Sequence, residues 1–91
     1  MTTQVRIPAN MQALVNNQPC IELPGTTVRE VLDELVKQYP DIGPRLLTPE
    51  GAVQSFVNLF VGNQNIRQLQ DLDTNLDSAD ELLIVAALAG G

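Results

Sequence analysis

Thr27-Val28-Arg29-Glu30-Val31-Leu32-Asp33-Glu34-Leu35-Val36-Lys37-Gln38-Tyr39-Pro40 is the stretch on which the fold turns. Thr27 followed three residues later by Glu30 is a capping box, in which each side chain satisfies a backbone N–H at the other's position. Val28, Val31, Leu32, Leu35, Val36 and Tyr39 then return at three- and four-residue steps, drawing one apolar stripe along a helix. Arg29, Glu30, Asp33, Glu34 and Lys37 fall largely on the opposite side. Pro40 closes the helix, because a proline pushes the residue before it out of the helical region. This is the one helix in the chain long enough to cover a sheet.

The strands lie on either side of it. Thr3-Gln4-Val5-Arg6-Ile7 alternates polar and apolar, as a strand with one buried face does, and Pro8 closes it. Ala9 to Pro19 carries the loop chemistry of Asn10, Asn16, Asn17 and Gln18, with Met11, Leu14 and Val15 tucked beneath. Cys20-Ile21-Glu22-Leu23 alternates again and stops at Pro24-Gly25, so a hairpin precedes the helix. After the helix, Asp41 to Ser55 is an irregular connection with Gly43, Pro44, Pro49 and Gly51, and with a short helical turn at Leu46-Leu47. Ser55 to Val61 reads as a strand, Val57, Leu59 and Val61 on one side and Phe56, Asn58 and Phe60 on the other. Gly62-Asn63-Gln64-Asn65 turns the chain into a short segment at Ile66-Arg67. Asp71 to Asp80 is acidic and turn-rich, Leu72 and Leu76 anchoring one helical turn, and Glu81 to Ala87 is the last strand. The expected fold is α+β: a mixed sheet of four to five strands covered on one face by one main helix, the first and last strands being central neighbours.

Composition narrows the function. The chain has 91 residues, 44% of them hydrophobic but only two Phe and one Tyr, so it is one small domain with an aliphatic core. It has no His, which removes imidazole bases, Ser-His and Cys-His nucleophile pairs and His-bound metal. The single Cys20 allows neither an internal disulfide nor a thiolate-only zinc site, and is read as a small strand filler. The expectation is therefore no catalytic residues and no metal. Eleven acids against five bases, a net charge of −6, argue against nucleic acid and anionic membranes. The beginning Met1-Thr2-Thr3-Gln4 lacks a secretory pattern, and no apolar run approaches the roughly 20 residues of a membrane span. A cytoplasmic location is expected.

Two features point to function. If Leu82, Ile84 and Ala86 face the helix, Leu83 and Val85 must face the other way, and Phe60 joins them from its own strand. Three sizeable apolar groups on an uncovered sheet face are the kind of patch that marks a partner site. The chain then runs through Ala87-Leu88-Ala89 to Gly90-Gly91. Two final glycines leave a thin strip carrying only the α-carboxylate, which with a pKa of about 3.5 is ionised and a poor electrophile until something activates it.

Phe56-Val57-Asn58-Leu59-Phe60-Val61-Gly62-Asn63-Gln64-Asn65-Ile66-Arg67, Arg45-Leu46-Leu47 and the closing Leu88-Ala89-Gly90-Gly91 complete a pattern. In order, these residues make the whole chain resemble the ubiquitin-like β-grasp fold and, within it, the ThiS/MoaD sulfur-carrier family. The similarity is greatest to the longer branch that includes the actinobacterial carrier for cysteine biosynthesis. The resemblance implies a β-grasp domain over residues 1–87 and a flexible tail over 88–91. It implies a protein substrate and not an enzyme. An ATP-dependent adenylating enzyme, also serving as sulfurtransferase, would adenylate the Gly91 carboxylate, and sulfur would replace AMP to leave a thiocarboxylate.

The chain itself would bind no cofactor; ATP belongs to the activating enzyme. Ala89, Gly90 and Gly91 would enter partner active sites, the five residues from Ala87 projecting on the order of 17 Å. Phe60, Leu83 and Val85 would form the interface, with Asp77, Asp80 and Glu81 beside a basic rim. The acceptor would be a cysteine synthase-like enzyme, with the molybdopterin synthase large subunit and thiamin-thiazole formation as alternatives. A ubiquitin-like protein modifier would use the same terminus, although Lys37, the only lysine, leaves little scope for lysine-linked chains.

Overall fold

The computed structural model describes residues 2–77 and 81–86 and shows five strands in one mixed sheet. Strands β1 (Thr2–Arg6), β2 (Cys20–Pro24), β3 (Val57–Val61), β4 (Gln64–Asn65) and β5 (Glu81–Ala86) lie in the order β2-β1-β5-β3-β4. β1 is antiparallel to β2 and parallel to β5; β3 is antiparallel to β5 and β4. The expected hairpin is present, and the first and last strands are the central pair. Helix α1 (Val28–Gln38) covers one face. This is the β-grasp arrangement.

Local chemistry explains where α1 starts and stops. Thr27 Oγ1 accepts the N–H of Glu30 at 3.2 Å, as the capping box requires. The reciprocal bond reaches one residue further back than expected: Glu30 Oε1 accepts from the Thr26 N–H at 2.8 Å and from Thr26 Oγ1 at 3.0 Å. Those donors, the Thr26 backbone N–H foremost, favour the ionised carboxylate and hold Glu30 below the ordinary 4.5. At the other end Tyr39 leaves the helical region, and its hydroxyl accepts from Gln18 Nε2 at 2.8 Å, tying the helix end to the first connection. Gly25, at φ 146°, lets the incoming turn pass under α1: a Cβ there would lie 2.8 Å from Val31 Cγ2.

Three segments differ from the sequence expectation. Residues 9–19 are not simply loop, because Ala9–Val15 winds into a 3-10 helix that buries Met11 and Val15. Asn16 and Asn17 then end it at φ 59° and 60°, a region asparagine tolerates. The connection after α1 holds the expected short helical turn as α2 (Gly43–Leu46), with Leu46 buried, but Leu47 lies just beyond it and bridges to Val53, and a 3-10 turn, Pro40–Ile42, precedes it. The fourth strand is Gln64–Asn65, two residues earlier than Ile66-Arg67. Gly62 and Asn63 both take positive φ, forming a two-residue hairpin turn that pairs Val61 directly with Gln64. Ile66–Gln68 is a 3-10 turn with Ile66 buried. Leu72 anchors a 3-10 turn at Asp71–Asp73, as expected, whereas Leu76 is buried beyond it, next to Asn75, which bridges Thr27.

The core is aliphatic, as the composition requires. Val5 and Leu23 of the hairpin, Val31, Leu32 and Leu35 of α1, and Leu59, Leu82 and Ile84 of the central strands are all essentially inaccessible. The aromatic side chains Tyr39, Phe56 and Phe60 are only partly buried. Among the described residues no helix is long and apolar enough to cross a membrane.

Candidate functional site

The uncovered face of the sheet carries the apolar side chains that the alternation assigns to it. Leu82 and Ile84 are 0% and 1% exposed, whereas Leu83 and Val85 are 38% and 41% exposed. Phe60 pairs directly across from Leu83, and Asn58 from Val85, so Phe60, Leu83 and Val85 share one face. Phe60 is half-buried, since β4 closes over its other side through the Phe60–Asn65 pair. The strand register therefore places all three residues expected at an interface together.

Across the strands one row reads Cys20, Arg6, Leu83, Phe60, Asn65. Polar groups close both flanks of its apolar centre. On one side Arg6 Nε donates to Glu81 Oε1 at 2.9 Å. The Glu81 carboxylate, expected to face a basic partner, is thus already engaged within the chain. On the other side Asn58 Oδ1 accepts from Asn65 Nδ2 at 3.1 Å and from Arg67 Nη1 at 2.7 Å. Arg67 Nη2 donates further to the carbonyls of Gln54 at 3.2 Å and Val57 at 3.0 Å. One guanidinium thereby locks the start of β3 and holds the Asn58 side chain beside Val85. Sequence reading did not find this clamp. Its signal was Asn58 standing alone in an otherwise apolar strand.

Cys20 is a half-buried free thiol on this same face, opposite in direction to Ile21 and Leu23. Leu69 is also exposed, at 37%, in the turn after Ile66–Gln68, and was not anticipated. No group of three or more His, Cys, Asp or Glu among the described residues is placed to hold a metal ion. β5 ends at Ala86, whose carbonyl accepts from Asn10 Nδ2 at 3.4 Å. The positions expected to carry the chemistry, Ala89, Gly90 and Gly91, and the expected tail at 88–91, lie outside the described residues, as does Asp80.

Comparison with known proteins gives this face its context. The ThiS family matches residues 5–91. The sulfur carrier protein CysO of Mycobacterium tuberculosis (strain ATCC 25618 / H37Rv) is 30% identical over 93 residues, covering 100% of both chains. Among solved structures, the Amycolatopsis orientalis BexX/CysO complex contains a chain that superposes with a TM-score of 0.88 at 28% identity, covering 98% of this chain and 99% of that one. Small archaeal modifier protein 1 from Methanosarcina acetivorans superposes with a TM-score of 0.83 at 25% identity, over 100% of this chain and 99% of its own. Overall superposition and sequence agree over nearly the whole length, and the chain belongs to the ThiS family of ubiquitin-like β-grasp sulfur carrier proteins.

Proposed function

We propose that this protein carries sulfur as a thiocarboxylate on Gly91 and delivers it to an acceptor enzyme of the cysteine synthase kind. The observation that carries this reading is the family match running through Gly91 itself. The chemistry is two acyl substitutions. A Gly91 carboxylate oxygen attacks the α-phosphorus of ATP on an activating enzyme, pyrophosphate leaves, and an acyl-adenylate forms. Hydrogen sulfide then attacks the acyl carbon, the bond to AMP breaks, and the thiocarboxylate remains with the displaced proton taken up by solvent. The carrier supplies no catalytic group in either step; it is the substrate.

Its own contribution is presentation. Phe60, Leu83 and Val85 form the surface the activating enzyme reads, beside the end of β5 from which the last residues lead. Interfaces of this type draw their affinity from a few central apolar anchors surrounded by polar neighbours, and the Arg6–Glu81 pair and the Arg67 clamp provide such neighbours here. A protein partner is in keeping with the Amycolatopsis CysO chain being found in a complex with BexX. The likeness to a small archaeal modifier favours one second reading, conjugation of Gly91 to lysines of other proteins.

Incubation with the cognate activating enzyme, ATP and sulfide tests the proposal. Intact mass should rise by one oxygen-for-sulfur exchange, lost when Gly91 is removed. An unmodified terminus in the presence of active enzyme contradicts the carrier reading, and mass on a target lysine establishes the modifier reading in its place.

A further inference from the structure

Asn58 is the one polar side chain that β3 turns toward the uncovered face. It stands half-buried, next to Phe60 on its own strand and directly across from Val85 on β5. An amide side chain has two ends of opposite chemistry, an oxygen with two lone pairs and an NH2 with two donors. The Arg67 network decides which end faces outward. Asn58 Oδ1 accepts from Asn65 Nδ2 at 3.1 Å and from Arg67 Nη1 at 2.7 Å, so both of its lone pairs are used. Turning the amide over would set Nδ2 against these two donors, one of them a guanidinium. Asn65 is held in a single orientation as well, because its own Oδ1 accepts the Arg67 N–H at 3.0 Å.

Asn58 Nδ2 finds no acceptor among the described residues. None of their polar side-chain atoms is buried without a partner, so this NH2 reaches solvent. The recognition surface is therefore more than an apolar patch. Beside Val85 it carries two N–H donors whose position is set from behind by a short, charge-assisted bond. A side chain already fixed in this way loses little freedom on association. Covering it with carbon alone would strip its hydration and return nothing, so a partner that fits must bring an acceptor.

Charge narrows the kind of acceptor. The chain carries a net −6, which opposes an anionic partner surface. The guanidinium of Arg67 already serves Asn58 and the carbonyls of Gln54 and Val57. An uncharged carbonyl oxygen is the acceptor that suits these surroundings.

We infer that Asn58 is a specificity-determining residue of the docking face: its Nδ2 donates to a carbonyl oxygen of the activating enzyme, next to the apolar surface that covers Phe60, Leu83 and Val85. The inference rests on the carrier reading for the identity of the partner, and it names what that partner must present.

Asn58→Asp tests it, because the exchange is isosteric and alters only the outward end. The carboxylate still accepts from Asn65 and Arg67, so the clamp and the fold are kept, while its second oxygen replaces the NH2. Affinity for the cognate activating enzyme by calorimetry should fall at least about tenfold, with the urea midpoint at or above that of the wild type. In the wild-type complex, the Asn58 Nδ2 protons should exchange with solvent more slowly than in the free protein. Unchanged or tighter binding by Asn58→Asp, or Nδ2 protons that exchange equally fast free and bound, would overturn the inference and leave the carrier reading standing. A wild type that does not bind the active enzyme at all would remove both.

Discussion

The two faces of β5 are made of the same kind of residue and meet opposite surroundings. Leu82 and Ile84 sit against α1 and the rest of the core; Leu83 and Val85, one residue along in each case, stand more than a third exposed. A strand with one solvated face usually alternates apolar with polar. Here the solvated side carries a leucine and a valine in place of polar residues. The inner face builds the core, and the outer face carries the recognition surface proposed above. The two can be separated by experiment.

The largest effect belongs to the inner face. Ile84→Ala removes packed methyl groups at a 1% exposed site and should lower unfolding free energy by about 2–4 kcal/mol in urea titrations. Val85→Ala, its neighbour on the other face, should change stability by no more than about 0.5 kcal/mol. Equal losses would erase the distinction. Next comes binding: Leu83→Asp should unfold at nearly the wild-type denaturant concentration yet bind the activating enzyme at least about tenfold more weakly by calorimetry. Unchanged affinity would show that the enzyme reads a different surface.

Arg67→Ala tests the polar flank that joins the two faces. It removes one donor from Asn58 Oδ1, which keeps Asn65 Nδ2, one from the Gln54 carbonyl, which keeps the Val57 N–H, and one from the Val57 carbonyl, and should cost about 1–2 kcal/mol. Arg67→Lys should recover little, because an ammonium cannot span three acceptors with the geometry of a planar fork. The smallest effect lies away from both faces. The native Glu30 carboxyl titrates below 4.5, so the stability it contributes is complete above that pH and is lost as pH falls through its native value. Stability of Glu30→Gln should therefore fall less steeply than wild type below about pH 4.5 in acid titrations followed by circular dichroism.

Much of this was legible because it depends on period. The stripe from Val28 to Tyr39 and the alternation from Val57 to Val61 fix α1, β3 and the outward direction of Phe60 without reference to the rest of the chain. What was not legible depends on contacts distant in sequence. The 3-10 helix at Ala9–Val15 exists because Met11 and Val15 find a core to enter. The early start of β4 follows from the turn conformation of Gly62-Asn63, which apolar spacing does not encode. Arg67 carried no assigned partner in the sequence, and only the approach of residues 54–58 supplies its acceptors.

The most direct test of the account is the mass of the C-terminal fragment of this protein isolated from its own cells. The account predicts a fraction of molecules with one terminal oxygen exchanged for sulfur, placed on Gly91 by fragmentation and absent from the methionine-containing peptides that oxidation would mark. A terminus carrying oxygen alone, in cells where the activating enzyme is present and working, would contradict it.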